Sequence, residues 1–255
     1  MDYLQTNRKT DTGKTLKPWP VLVDHYSQCS NEELQLLVSI LTTDPRDGDI
    51  RWTESLTSTP EYRLLAPEHR RYWQLIAAEL QRYGANTLVS LIRLGQGVTY
   101  REILGDVCDK LDVNFNLKST TETIELCLLM KVLEKSLDQM TSEELATFSR
   151  NMQLDLTNPT PQLILMAVQA AIRTSSLAAL ELATVLSASV ITSLGGVATW
   201  GTVVVASRAL SVISGPVAIA LSSAWMISDI AGPAYRVTIP ACIIVAWLRQ
   251  QRLSR

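Results

Sequence analysis

The chain has 255 residues, a formal net charge of −2 and 47% hydrophobic residues. This length allows one large domain or two small ones, each able to bury a core. The two histidines and four scattered cysteines form no CxxC or HExxH motif, which argues against a zinc site and favours buried, reduced thiols. We find no phosphate loop and no nucleophile elbow. We therefore predict no catalytic residue, no metal, no cofactor and no small-molecule substrate.

The charged residues are distributed unevenly. Residues 1–155 contain 40 of the 48 charged side chains and have a net charge of −6, whereas residues 156–255 contain eight and have a net charge of +4. The acidic first part argues against nucleic-acid binding. A globular segment of a hundred residues ordinarily carries about 25 charged side chains. The surface of the second part must therefore be covered by lipid, by a partner, or by the first part.

The first part is predicted to be a disordered leader, 1–26, followed by a helical head, 27–157. Three capping boxes predict helix starts in the head, because in each the hydroxyl and the carboxylate satisfy free amides reciprocally. They begin at Ser30, Thr99 and Thr141. No strand pattern bounded by hairpin turns occurs. The fold class is therefore predicted to be all-α.

Two further helices of the head are predicted from the spacing of apolar residues. One runs from Pro67 to about Tyr83, with Gly84 as its C-terminal stop. The other covers 121–139, where leucine, isoleucine and valine recur on one face.

The segment Asn158–Pro161 marks a boundary, because two prolines in close succession end one helix and shape the next. Beyond it, 162–255 is predicted to be an apolar helical bundle or hairpin. Residues 182–207 and 209–228 are uncharged, and a helix of 26 residues would be about 39 Å long, enough to cross a hydrocarbon core of about 30 Å. Breaks at two glycine sites instead predict three helices, near 177–194, 197–214 and 217–234.

The few charged residues of the apolar part are candidate ion pairs, because an unpaired charge in an apolar environment is costly. We expect Arg208 to pair with Asp229 or Glu181, and Arg236 to pair with Asp229 or to contact a phosphate headgroup. Pro240 is expected to kink or restart a helix.

Small residues four apart predict close helix packing in this part. The residues of these two ladders are Ala188, Thr192 and Gly196, and Ala220, Ala224, Ser228 and Gly232.

These features lead to the hypothesis of a non-enzymatic protein with a cytoplasmic head. Its C-terminal helices would insert into the inner membrane or pack against it, as in pore formation or a defence or stress response. Arg249, Arg252 and Arg255 favour a cytoplasmic C-terminus, with 237–248 as an interfacial segment. Membrane lipid, a membrane protein or a second copy of the chain are the expected partners.

Two stretches resemble the YaaW-type family of bacterial proteins. They are 68–107, which includes EHRRYW, and 232–248, which includes AYRVTIP. Residues 27–41 also resemble the short N-terminal domain that accompanies that family. The residues that carry the resemblance most specifically are His69, Arg70, Arg71, Trp73, Tyr235, Arg236 and Pro240. The resemblance implies a central region grouped with ubiquinol–cytochrome c chaperones.

Two alternative functions stay open. The first, suggested by the resemblance, is a chaperone or assembly factor for a membrane protein complex. The second is a soluble helical interaction module whose apolar hairpin is buried in its own fold or in an oligomer. Enclosure of 182–228 by helices of the head would favour the second.

Overall fold

A computed structural model describes residues 26–44, 48–87, 98–193 and 234–254, in which the regular elements are helices and no strand is present beyond one isolated bridge. The helices in chain order are α1 (Asn31–Thr42), α2 (Pro60–Leu65), α3 (Trp73–Thr87), α4 (Tyr100–Lys110), α5 (Thr121–Leu137), α6 (Ser142–Asn151), α7 (Pro161–Thr174), α8 (Ser176–Ser193) and α9 (Tyr235–Leu253). Two short 3₁₀ turns, Leu56–Ser58 and His69–Arg71, flank α2. The prediction of an all-α fold is confirmed for these ranges.

The three capping boxes form as predicted. The hydroxyls of Ser30, Thr99 and Thr141 each accept a hydrogen bond from the amide three residues later, and the glutamate carboxylate at that later position accepts one from the cap amide. Two of the four free amides at each helix start are satisfied by local contacts alone. These starts depend on a four-residue pattern, which explains why the sequence predicts them well.

The helix predicted from Pro67 to Tyr83 is wrong at both ends. The chain forms a 3₁₀ turn first, so that α3 begins at Trp73, and the helix continues past Gly84 to Thr87. Gly84 has a packing role instead of a stopping role. A Cβ atom there would lie 2.4 Å from Cγ1 of Ile103 on α4. The missing side chain therefore lets α3 and α4 approach closely.

The last helix, α9, lies at the centre of the fold. It packs against α1, α3, α4, α5 and α8. Fourteen consecutive residues, Val237–Gln250, are buried, so the helix has no solvent-facing side over that length. A helix that is apolar on every side is typical of a buried core element. The helix runs without interruption past Pro240, where a kink or restart was expected.

Helices α8 and α9 pack as an antiparallel pair. The indole Nε1 of Trp247 donates to Oγ1 of Thr184 over 3.1 Å, and the hydroxyl of Ser187 donates to the carbonyl of Ile243 over 3.4 Å. These two bonds define the register, because the residue numbers rise on one helix as they fall on the other. The described end of α8 and the start of α9 therefore lie at the same end of the pair.

The prediction of C-terminal membrane insertion is wrong for the helices that the structure describes. Across the described ranges, no helix combines the length and hydrophobicity needed to span a bilayer. The segment 237–248, expected at a membrane interface, is instead buried among helices of the head. The scarcity of charge in α9 follows from this enclosure, since a buried helix needs no solvated surface. Most of the two uncharged runs, from 194 to 228, lies outside the described residues.

The predicted division of the chain at 157–162 stays a prediction. Helices from both sides of it contribute to one continuous hydrophobic cluster, in which Leu128 of α5, Leu186 of α8 and Ile243 of α9 are fully buried.

Candidate functional site

A buried ion cluster links α9 to α4 and α5. The guanidinium Nε of Arg249 lies 2.9 and 3.0 Å from the two carboxylate oxygens of Glu125. Nη2 of the same guanidinium donates to Oε1 of Glu122. The hydroxyl of Tyr100 donates to Oε1 of Glu125 over 2.9 Å. One cation on the last helix thus satisfies two carboxylates on α5, and the tyrosine connects α4 to the same group.

Burial dominates the electrostatics of Glu125. The side chain has no exposed surface. Its loss of hydration raises the pKa of Glu125 to about 7, although the charge and hydrogen bonds of Arg249 and the hydroxyl of Tyr100 lower it. The nearby carboxylate of Glu122 raises it further. The cluster therefore contains a carboxyl group that exchanges a proton near neutral pH.

The residues around the cluster do not provide a reactive thiol. Burial raises the pKa of Cys242 well above its usual value and that of Cys29 to about 11. Such thiols are protonated at neutral pH and are poor nucleophiles. Tyr26 is also buried here, with a pKa raised by desolvation and a hydroxyl that has no hydrogen-bond partner among the described residues.

A second buried polar group centres on His69. Its Nδ1 lies 2.5 Å from the hydroxyl of Tyr72, and its Nε2 lies 2.6 Å from Oε1 of Gln35 on α1. A neutral imidazole satisfies both contacts, with Nε2 donating to the amide oxygen and Nδ1 accepting from the tyrosine. Desolvation lowers the pKa of His69, which favours this neutral form. The histidine therefore connects the 3₁₀ turn to α1.

One helix face is apolar and exposed. On α7, Ile164 and Val168 are buried, whereas Leu163, Met166 and Ala170 are exposed on the opposite side. We call these three exposed residues the α7 apolar face. Leu177, three residues beyond the end of α7, is also 59% exposed. Arg173, which is exposed on the same side, is the single charged residue of this fourteen-residue helix, so this side carries few of the charges that ordinarily solvate a surface helix.

The residues of the family-like motif have structural contacts. The backbone amide of Arg70 donates to Oδ1 of Asn31, and Arg71 pairs with Glu68 on the surface. Trp73 packs half-buried against the core. The ring of Tyr235 lies 5.5 Å from the ammonium of Lys110.

Of the residues predicted to form ion pairs in the apolar part, the structure describes only two. Glu181 and Arg236 are half-buried, on α8 and α9. Arg208 and Asp229 lie outside the described residues, so their pairing stays a prediction.

The same limit applies to the two ladders. Ala188 is fully buried, which fits close packing, and Thr192 is half-buried. The remaining ladder residues lie outside the described ranges: Gly196, Ala220, Ala224, Ser228 and Gly232.

Sequence reasoning missed both features that stand out in the structure. Glu125 lies within a helical stripe of ordinary appearance, and Arg249 was interpreted as an orientation signal for a membrane. No local pattern pairs residues 124 positions apart. The α7 apolar face was detectable, since 161–172 contains no charged residue, but this segment was assigned from the sequence only to the apolar part 162–255.

The chemistry available in these residues is that of charge pairing and packing. Within the described part of the chain, no group of three or more His, Cys, Asp or Glu side chains could hold a metal ion. The titratable groups that are brought together are buried and hydrogen-bonded to one another. The arrangement is that of a helical framework stabilised by polar contacts between its elements, with one apolar face directed outward.

The described residues define an all-helical protein, and its relatives identify the family. Two proteins from Helicobacter pylori strain J99, both named UPF0174 protein, are similar. One is 40% identical over 89% of this chain and 90% of its own length. The other is 35% identical over 78% of this chain and 97% of its own length. The UPF0174 protein YaaW of Escherichia coli K12 is 29% identical over 89% of the chain and 93% of its own length.

The chain belongs to the UPF0174 family. A family model described as a domain of unknown function (DUF3944) also matches residues 27–52, which include α1. The predicted resemblance to YaaW-type proteins is thus confirmed, whereas the implied relation to chaperones stays a prediction. No solved structure matches the chain.

Proposed function

We propose that the chain is a protein-interaction module that binds another polypeptide through the α7 apolar face. The observation that carries this proposal is the exposure of Leu163 and Met166, 42% and 66%, on a helix with a single charge. Exposed apolar surface that is contiguous and poor in charge is typical of interaction sites. Methionine is enriched at such sites because its flexible thioether adapts to different partners.

The remainder of the fold supports this role by holding α7 in place. The inward side chains Ile164 and Val168 belong to the main core, and α7 packs against α5 and α8. The outward side chains are therefore presented on a rigid helix, and binding requires little ordering of the backbone. Preorganisation of this kind strengthens binding because less conformational entropy is lost.

The test is capture of cellular partners by the full-length chain. Leu163→Glu combined with Met166→Glu should abolish the capture of a specific partner, because each carboxylate would have to be desolvated in the interface. Leu117→Glu is the matched control, since Leu117 is 75% exposed but lies in the loop between α4 and α5. Quantitative mass spectrometry should show loss with the double variant and retention with the control. Equal recovery by both variants would contradict the proposal.

A further inference from the structure

Met166 lies in the middle of the α7 apolar face. Leu163 precedes it by three residues and Ala170 follows it by four, so both are its neighbours on the helix surface. Met166 is 66% exposed and lies on the side of α7 opposite the buried Ile164 and Val168. Its thioether sulfur is therefore open to solvent at the place where the proposed polypeptide partner binds.

Exposure distinguishes Met166 from the other three methionines that the structure describes. Met140 is 8% exposed, and Met130 and Met152 are half-buried against the hydrophobic core. The susceptibility of a sulfur to oxidation follows its exposure. Among these four thioethers, that of Met166 should therefore react first with an oxidant in solution.

The cysteines in the described part of the chain compete weakly for the same oxidant. Cys29, Cys108 and Cys242 are buried, and Cys127 is half-buried. Burial raises the pKa of Cys29 to about 11 and that of Cys108 to about 12, so both thiols stay protonated at neutral pH. The thiolate is the form that reacts. Met166 is therefore the most accessible oxidisable sulfur among the described residues.

We propose that Met166 is an oxidation site that regulates the α7 apolar face: hydrogen peroxide converts its thioether to a sulfoxide, and the oxidised face releases its polypeptide partner. This inference rests on the proposed function and names the regulation of that site. The sulfur lone pair attacks one peroxide oxygen and forms the S–O bond while the O–O bond breaks. The departing hydroxide takes the proton of the transferred oxygen and leaves as water, so sulfur loses two electrons and the peroxide gains them.

The sulfoxide changes the character of the face and leaves the core intact. Oxidation turns a flexible apolar side chain into a polar one. A polar group buried against an apolar partner without a hydrogen bond weakens binding by about fivefold or more. Because α7 packs inward through Ile164 and Val168, the fold keeps its contacts. Methionine sulfoxide reductases reverse the reaction, so that the site acts as a switch.

The first experiment measures which methionine is oxidised. The folded full-length chain is treated with hydrogen peroxide, digested, and analysed by mass spectrometry for the addition of one oxygen atom. We expect Met166 to be oxidised about tenfold or more faster than Met140, with Met130 and Met152 between them. The thermal unfolding temperature of the chain oxidised at Met166 should equal that of the untreated chain.

The second experiment measures capture of cellular proteins by the full-length chain before and after treatment. The proteins scored are those whose recovery is abolished by Leu163→Glu combined with Met166→Glu. Their recovery should fall by about fivefold or more after oxidation and should return after incubation with methionine sulfoxide reductase. Dithiothreitol is added to every sample before capture, because it reverses disulfides of the native cysteines and leaves the sulfoxide in place.

Matched variants assign the effect to this sulfur. Met166→Leu keeps an apolar side chain of similar volume without a sulfur, and Met130→Leu removes a half-buried thioether from α5. Each variant is compared with its own untreated sample. Capture by Met166→Leu should be insensitive to peroxide, whereas capture by Met130→Leu should be as sensitive as that by the unsubstituted chain.

The outcomes separate this inference from the proposed function. The inference is overturned if Met166 is not oxidised ahead of the buried methionines, or if the chain oxidised at Met166 captures as much as the untreated chain. Equal sensitivity of Met166→Leu and the unsubstituted chain would overturn it as well. In each of these cases the proposed function stands if the double glutamate variant still loses its partner. If no captured protein depends on the face, both proposals fail.

Discussion

Arg249 and Glu125 are 124 residues apart in the chain, and their side chains meet at 2.9 Å in the core. This contact joins the last helix, α9, to α5. Because Glu122 and Tyr100 bond to the same two groups, the pair is the centre of a network that involves three helices. The buried charge on each side is satisfied only while α9 is in place.

Removal of Arg249 should destabilise the protein strongly. Arg249→Met leaves Glu125 buried without its cation, and breaking a buried pair in this way costs about 3–5 kcal/mol in the free energy of unfolding. Urea denaturation at neutral pH measures the loss. Arg252→Met is the control, because Arg252 bonds to the exposed Gln28 and to the buried thiol of Cys29 and faces no buried carboxylate of its own, and its loss should cost about 1 kcal/mol.

A double variant distinguishes charge from packing. Arg249→Met with Glu125→Leu removes both charges, and a buried pair replaced by apolar residues is often neutral in stability. We expect the double variant to be more stable than Arg249→Met alone. If the double variant were less stable than the single one, the pairing of charge would not be the main contribution of this contact.

The stability of the protein should depend on Glu125 at neutral pH. Its pKa is about 7 in the folded state and near 4.5 when hydrated, so the folded state binds more protons between these values. The contribution of Glu125 is therefore fully present below about pH 4.5 and is lost as the pH rises through about 7. Glu125→Gln, which cannot titrate, should become more stable relative to the unsubstituted protein as the pH rises from about 5 to about 8.

The measurement is the difference in unfolding free energy between the two proteins at each pH. Glu122→Gln is the control, because Glu122 is 39% exposed and should show a smaller dependence. A difference for Glu125→Gln that is independent of pH would mean that the carboxylate keeps an ordinary pKa in the fold.

Gly84 and Gly105 should respond oppositely to alanine. A Cβ at Gly84 would lie 2.4 and 2.7 Å from two side-chain atoms of Ile103, whereas a Cβ at Gly105 meets nothing within 4 Å. Gly84→Ala should therefore cost about 1–3 kcal/mol through overpacking, and Gly105→Ala should stabilise α4 by about 0.5–1 kcal/mol. Thermal unfolding of the two variants tests this. A neutral Gly84→Ala would show that Ile103 can move away.

His69 should contribute through its two hydrogen bonds. His69→Phe leaves Gln35 and the hydroxyl of Tyr72 without their partner and should cost about 1–3 kcal/mol. Tyr72→Phe removes one of the bonds and should cost less. Equal costs for the two variants would argue against a contribution from the bond to Gln35.

The lowered pKa of His69 should also make the free energy of unfolding depend on pH in the acid range. Since it is lowered in the folded state, the unfolded state binds the proton first, and stability is lost as the pH falls below about 6.5. His69→Phe should remove this part of the acid sensitivity, as urea midpoints at decreasing pH would show. If the stability of His69→Phe depended on acid as that of the unsubstituted protein does, this prediction would be contradicted.

The features of this chain that depend on neighbouring residues were predictable, and those that depend on distant residues were not. The capping boxes at Ser30, Thr99 and Thr141 and the helical periodicity after them were predictable, because they depend on residues within one or two turns. The scarcity of charge in the second part was also visible. The cause of this scarcity was not visible, because an apolar helix can be covered either by lipid or by other helices of the protein.

The sequence by itself therefore determined the all-helical class, the main helix starts and the apolar character of the C-terminal part. Only the tertiary structure decided that α9 is enclosed by helices from the other end of the chain, that Arg249 meets Glu125, and that Gly84 allows α4 to approach. Such contacts join residues that no local pattern relates, and they form only when packing brings separate helices together. The physical reason is that helix formation is a short-range property, whereas burial and ion pairing depend on which surfaces meet.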